Sequence, residues 1–347
     1  MLKESPPKLK GFDFTTEEIE NCIKNNSILK ISLALSKICN LKCPFCYANK
    51  NFAEIDSIKE ISFEKAKEII LQAKKSGAKT ITLVGGEPLI YPKIKELISF
   101  INSNDLITVI FTNGTLINEN LAKFLFENSV TLIVKFNSLD DPEVQNKMVG
   151  NINIFNKIQN TISILVNQGF NQTKPTRLAV ESVISKTNIS QIPKIFTFAR
   201  ENNIYPSIEL ITPAGRGKEY SEIISKDKAR KIFYQLLDID ENKFGYTWIP
   251  RPPQVAATCT YYYTSLYINF DGKVQPCPTV SIKLGNINNE SIFDILNKSE
   301  TKKIRNIREN IKGKCRTCEY NKECYGCRGA TFNLTGDIFN EYPVCWV

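Results

Sequence analysis

Three cysteines, Cys39, Cys43 and Cys46, stand at spacing C-x3-C-x2-C directly after an apolar, β-rich run, Ile28 to Leu35. Thiolates ligate metals, and three of them on one short loop converge on one point. Four protein ligands would close a structural zinc or iron-sulfur site; three leave a coordination position open for a substrate or cofactor. Read physically, the loop holds a [4Fe-4S] cluster with one iron not bound by protein. A zinc site or disulfides are the plainer reading. A second set lies toward the other end of the chain: Cys259, Cys277, Cys315, Cys318, Cys324, Cys327 and Cys345. Cys22 stands alone and reads as a buried structural thiol.

The sequence of 347 residues has eleven cysteines and no histidine. Without histidine there is no Ser-His or Cys-His nucleophile, no imidazole base and no histidine-ligated zinc. The start, MLKESPPKLK, has no apolar signal region, so a cytoplasmic location is expected and the cysteine spacings read as metal ligation before disulfides. No run approaches the roughly 20 apolar residues of a membrane span. A net charge of +9 comes from scattered lysines, which read as a solvated surface rather than a nucleic-acid footprint, although an acidic peptide partner remains open.

These residues need elements to hold them. Helical periodicity over 62–75 leads into a β-rich run, Thr80 to Val84, that ends in Gly85-Gly86-Glu87-Pro88. The alternation repeats: helix 94–102, strand 107–112 ending in Asn113-Gly114, helix 118–127, strand 130–136, helix 152–167, strand 177–184, helix 192–201 and strand 207–210. Nearly continuous apolar strands alternating with helices predict an α/β parallel sheet or barrel. The cysteine loop, GGEP and TNG then all fall beyond the carboxyl ends of strands, where such folds gather functional groups. The GGEP turn suits a small zwitterion, because glycines let backbone approach closely and Glu87 can accept from an ammonium. Glu181, charged amid apolar neighbours, is either an inward ligand or one half of a rim salt bridge.

With an aromatic residue, Phe45, before its third cysteine, the loop resembles the signature of radical S-adenosylmethionine (radical SAM) enzymes. That resemblance implies that Cys39, Cys43 and Cys46 ligate the cluster and that the methionyl amino and carboxylate groups of S-adenosylmethionine bind the open iron. It places Phe45 near the adenine and assigns Gly85, Gly86 and Glu87 to the methionyl amino group. Asn113, Asn137 and Ser138 fall where the family contacts ribose and carboxylate; for Asn113 a turn-forming role is the alternative. In such enzymes the cluster passes one electron to the sulfonium, and a 5′-deoxyadenosyl radical abstracts a substrate hydrogen. An electron donor such as flavodoxin or ferredoxin is implied as well.

The later cysteines resemble the SPASM extension of that superfamily, which holds two auxiliary [4Fe-4S] clusters. The resemblance gives Cys259, Cys277 and Cys327 to the nearer cluster, and Cys315, Cys318, Cys324 and Cys345 to the farther one. Two residues separate Cys324 from Cys327 where the family commonly has three. Some members supply a fourth ligand to the nearer cluster from just before this position, where the chain has Pro252, Pro253 and Gln254, so the resemblance implies an open iron there for substrate, water, a carboxylate or a tyrosine among Tyr261 to Tyr263. A zinc ribbon competes for these C-x2-C pairs.

The expected architecture is α/β: a partial (β/α)6 TIM-like radical SAM barrel over 28–217 after an extension, 1–27, then a helical bridge, 218–258, and a small cysteine-rich α+β SPASM domain, 259–347. Asp271-Gly272 predicts a hairpin in that last part, a short helix is expected over 291–296, and the remainder reads as loop. The expected function is oxidative modification of a peptide or protein side chain. The alternatives are a small-molecule enzyme of cofactor or secondary-metabolite synthesis and a non-catalytic metal-binding module. No general acid or base is assigned, and a 27-residue extension is too short for a separate peptide-recognition domain.

Overall fold

The computed structural model describes residues 4–48 and 60–347. Among them one nine-stranded sheet runs, from edge to edge, β6 (Tyr205–Leu210), β5 (Leu178–Ile184), β4 (Thr131–Lys135), β3 (Ile107–Thr112), β2 (Thr80–Val84), β1 (Lys30–Ala34), β7 (Ser265–Ile268), β8 (Lys273–Gln275) and β9 (Gly285–Asn286). Its first six strands, β1 to β6, are all parallel. Between them lie α2 (Phe63–Lys75), α3 (Ile94–Ser103), α4 (Glu119–Glu127), α6 (Phe155–Asn167) and α7 (Ile192–Glu201). This is the expected partial barrel.

Side chains alternate across each strand. Ile31, Leu33, Ile81, Leu83, Leu132 and Val134 join the core beneath the helices. The opposite faces turn inward, where Ala34 and Val84 meet Tyr267, and where Leu9 plugs against Val109, Ile133 and Ala179. Each helix returns its apolar stripe to the sheet. In α2, for example, Ala66, Ile69, Ile70 and Ala73 are buried, and Ser62 caps the start by accepting from Lys65 N.

Two helices of the first half go beyond the sequence reading. The first, α1 (Thr16–Lys24), begins with a capping box between Thr15 and Glu18. The second, α5 (Pro142–Val149), has Asp141 as cap, Pro142 in its first turn and Gly150 left-handed at its end. After α8 (Lys226–Ile239) and a one-turn helix, α9 (Tyr261–Thr264), the hairpin appears as expected: β7 (Ser265–Ile268) and β8 (Lys273–Gln275), with β9 (Gly285–Asn286) beyond.

The separation into a barrel and an independent small domain is less sharp than the sequence suggests. β7 pairs in parallel with β1, Lys30 opposite Ser265, and Leu266, Ile268 and Val274 share the barrel's core. The expectation of loop after residue 296 is corrected too, by helices Ser299–Arg305 and Arg328–Thr335 and short turns between them. Thr301, Ile304 and Ile307 are buried there, so apolar spacing rather than glycine and proline decides the conformation.

Candidate functional site

The loop after β1 is fixed by four parts of the barrel. Gly86 N and Glu87 N donate to Ser36 O and Ile38 O at 2.8 Å each. A Cβ on Gly86 would lie 1.9 Å from Ile38 O, and one on Gly85, at φ +126°, 2.4 Å from Ser36 O. The paired glycines therefore admit the cysteine loop's own backbone, which is a different close approach from the zwitterion expected of them. Lys42 N donates to Val149 O at the end of α5. Arg216, beyond β6, donates from Nε and Nη2 to Cys43 O (3.0 and 2.8 Å) and from its backbone N to Cys46 O (2.9 Å). Arg216 was not singled out in the sequence, where TPAGRG reads as an exit turn.

Asn113 forms the fourth tie. Its Nδ2 donates to Asn40 Oδ1 (2.8 Å) and lies 3.9 Å from Cys39 Sγ, while its Oδ1 accepts from Thr115 N and Oγ1. It thus makes the turn and braces the loop, with its amide engaged by protein.

The three thiols act on one another. Burial pushes Cys39 up to about 11, with Glu87 and Cys46 adding to the rise, and pushes Cys43 up to about 12, with Cys46 and Cys39 adding. Such thiols ionise only against strong positive charge, which a metal centre supplies. Among the described residues no three cysteine or acidic side chains close on a single ion-sized point.

Around the thiols lie the other expected contacts. Phe45 is buried with Met148, Val183 and Ile211, its ring edge-on to Tyr220 at 5.9 Å. Glu87 is buried and accepts from Leu89 N (3.1 Å), Thr112 Oγ1 (2.7 Å) and Asn113 N (2.7 Å). Burial pushes its carboxyl up to about 7. Three of about four lone-pair sites are filled by protein, which leaves one to accept an ammonium. The backbone N of Asn137 and of Ser138 donate to Gln145 Oε1 (2.8 and 3.1 Å), and Ser138 Oγ accepts from Asp141 N. The buried Asn137 amide keeps both its O and its N unpartnered, as does Gln145 Nε2, so polar capacity is left just past the carboxyl end of β4.

Glu181 points into the barrel and also forms an ion pair, with Lys135 at 2.6 Å. Its Oε2 is unpartnered. Burial alone would depress the Lys135 ammonium; Glu181, with Glu209 and Cys43, more than offsets it. Glu209 is pushed up to about 7 by burial and by Glu181. Lys135 and Glu209 had no signal beyond being charges within apolar strands.

Six of the carboxyl-terminal thiols fall into two groups, Cys259, Cys277 and Cys327 in one and Cys315, Cys324 and Cys345 in the other. Burial pushes Cys277 up to about 12 and Cys327 up to about 11, and the charges of Cys327 and Cys259 add to the first and that of Cys259 to the second. Burial raises Cys345 as well, with Cys315 and Cys324 adding. The short Cys324-to-Cys327 spacing therefore still delivers Cys327 to Cys259 and Cys277. Cys327 Sγ lies 3.9 Å from Thr212 Oγ1, just past β6, which sets this nearer group at the barrel mouth. Tyr325 OH donates to Cys259 Sγ (3.3 Å), whereas the hydroxyls of Tyr262 and Tyr263 have no partner. Cys22 is buried and its thiol donates to Ser27 O, the structural role expected of it.

Residues 33–199 match the family model of the Radical SAM superfamily, and residues 259–319 that of the SPASM iron-sulfur cluster-binding domain. The chain is 26% identical over 343 residues to the AdoMet-dependent heme synthase of Methanosarcina barkeri, covering 91% of this chain and 95% of that protein. It is 26% identical over 310 residues to the antilisterial bacteriocin subtilosin biosynthesis protein AlbA of Bacillus subtilis, covering 86% of this chain and 67% of that one. The fold is similar to that of Streptococcus suis SuiB bound to the precursor peptide SuiA, with TM-score 0.71 and 19% identity over 95% of this chain and 79% of that chain.

Proposed function

This chain belongs to the radical SAM superfamily and carries a SPASM domain, and from that membership we propose an oxidoreductase that removes a hydrogen atom and then an electron from a peptide or protein side chain. Its cofactors are those of the two families: a [4Fe-4S] cluster with S-adenosylmethionine, and auxiliary clusters. Cys39, Cys43 and Cys46 would hold the first cluster, and the bound cluster and S-adenosylmethionine together supply the hydrogen-abstracting radical. The donor set fits: three mutually coupled thiols, a locked Glu87 with acceptor capacity left, an apolar face at Phe45 and an unpartnered Asn137 amide. Cys259, Cys277 and Cys327 would hold the nearer auxiliary cluster, and Cys315, Cys318, Cys324 and Cys345 the farther.

The observation that carries the oxidative reading is the nearer thiol group at the barrel mouth, against Thr212. A substrate in the barrel would lie between the two sites, with an electron acceptor on its far side. Lys135, Glu181 and Glu209 line that space and would hold the substrate's polar groups and its departing proton. The relationship to a bacteriocin biosynthesis protein supports a peptide substrate. Full-length similarity to heme synthases favours a second reading, oxidation of a small molecule.

The test is anaerobic reconstitution followed by incubation with S-adenosylmethionine and dithionite. Release of 5′-deoxyadenosine is expected, and its absence would favour a non-catalytic metal-binding module. Mass spectrometry on candidate peptides and on iron porphyrins then separates the substrate classes: a loss of two hydrogens from a peptide supports the first, and change in the porphyrin alone overturns it.

A further inference from the structure

The sulfurs of the three cysteine groups receive different hydrogen bonds. In the nearer carboxyl-terminal group, Tyr325 OH donates to Cys259 Sγ at 3.3 Å and accepts from Tyr262 N at 3.3 Å, which sets the direction of the hydroxyl proton. The Tyr325 side chain is 2% exposed and held edge-on by Tyr262 and Tyr263, with ring centroids 5.5 and 5.3 Å away. It stands in the two-residue link, Tyr325-Gly326, that joins a sulfur of the farther group to one of the nearer. Thr279 Oγ1 lies 3.4 Å from Cys277 Sγ and is the donor once that sulfur is a thiolate, which has no proton to give. Ala330 N, in the first turn of helix Arg328–Thr335, donates to Cys327 Sγ at 3.3 Å. Among the described residues the farther group has backbone donors alone, Tyr342 N to Cys315 Sγ and Gly326 N to Cys324 Sγ. The amino-terminal loop has Leu41 N at 3.4 Å and Asn113 Nδ2 at 3.9 Å, both on Cys39.

A hydrogen bond to a thiolate stabilises the more negative state, so at an iron-sulfur site it favours the reduced form and raises the potential. A buried donor acts more strongly than an exposed one, because the low local dielectric leaves its charge unscreened. We propose that the Tyr325 hydroxyl, with Thr279 beside it, makes the nearer site the most readily reduced of the three, so that it takes the electron a substrate radical gives up. The substrate radical is then oxidised by one electron and the site reduced by one, and the departing proton goes to the side chains that line the barrel. Tyr325 acts through Cys259, tuning the site rather than reacting in it. The inference rests on the reading above in which Cys259, Cys277 and Cys327 hold a cluster.

Anaerobic potentiometric titration of the holoprotein, followed by electron paramagnetic resonance, tests this. Three reducible couples are expected, and Tyr325→Phe should lower the one of highest potential by about 59 mV, a tenfold smaller equilibrium constant for uptake of one electron. Thr279→Val should lower the same couple by less. Tyr91→Phe, which loses a buried hydroxyl bond to Ile61 O outside both carboxyl-terminal groups, should move none. Electron–nuclear double resonance on the reduced protein should show a coupled proton that Tyr325→Phe removes. A fluorinated tyrosine at position 325, a stronger donor of nearly the same shape, should raise the couple, and it serves where the phenylalanine variant loses its clusters. An unmoved couple, a retained proton coupling, or an equal shift in Tyr91→Phe overturns the role of Tyr325. Zinc in place of iron, or a single reducible couple, overturns the cluster assignment and the proposal with it.

Discussion

The loop carrying Cys39, Cys43 and Cys46 takes its shape from the barrel, whereas the segment from Cys315 to Cys345, though packed on the core, is hydrogen-bonded mostly within itself. In the first, backbone and side chains of the GGEP turn, Asn113, Val149 and Arg216 hold the loop from four directions. In the second, Tyr342 N donates to Cys315 Sγ, Gly326 N to Cys324 Sγ, Lys314 N to Glu341, and the buried Arg328 reaches Ile338 O and Asn340 O. Arg328 leaves Nε and Nη2 unpartnered beside Tyr342, whose own surroundings include Cys327, Cys345 and Cys324. A site on a rigid scaffold keeps its geometry without metal. A site knit from its own ligands depends on the metal for its fold.

The comparison would break most visibly if removing thiols from the first region unfolded the chain. Replacing Cys39, Cys43 and Cys46 with alanine is expected to lower 5′-deoxyadenosine formation by at least about a thousandfold, while the circular-dichroism melt of the barrel persists. Iron chelation should act on the other region: limited proteolysis of the metal-free protein is expected to cut within 313–347 and spare 60–250, and uniform cleavage would erase the distinction.

Glu87 sharpens the account of the first region. Burial favours its protonated form, so the folded chain binds more protons than the unfolded chain between pH 4.5 and about 7. Stability is therefore full below pH 4.5 and declines as pH rises through about 7, by on the order of 3 kcal/mol. Glu209, also pushed up to about 7, adds to the same window. Glu87→Gln should remove its share of the slope, measured by urea denaturation of cluster-free protein at pH 5 and 8; an unaltered slope would assign the whole effect elsewhere. Smallest is Asn113→Ala, which breaks the bonds to Asn40 and Thr115 and should cost about 1–2 kcal/mol in the same assay.

The barrel was legible because its strands are buried on both faces and read as short, nearly continuous β-rich runs, such as Thr80 to Val84, separated by capped amphipathic helices. The cysteines were legible because spacing along a loop survives folding. Less legible was anything set by the third dimension. Arg216 grips Cys43 from 173 residues away. Lys135 meets Glu181 across strands, and neither position carries a local pattern. Helix α5 was overlooked although Asp141, Pro142 and Gly150 announce its ends, because its eight residues hold too short an apolar stripe to register as periodic. Glu87 was read from its chemistry alone; that three protein donors already occupy it follows only from where Leu89, Thr112 and Asn113 come to rest.

The pairing of β1 with β7 has a consequence for biosynthesis. Lys30 emerges from the ribosome more than two hundred residues before its partner Ser265, which at roughly 5–20 residues per second means an interval of ten seconds or more. Throughout that time one edge of β1 presents unpaired N–H and C=O groups, a template for pairing with other nascent chains. Newly made chains should accordingly be most prone to aggregate when truncated between residues 210 and 265, and a chaperone that shields an exposed strand edge should raise the yield of such fragments more than that of the full chain.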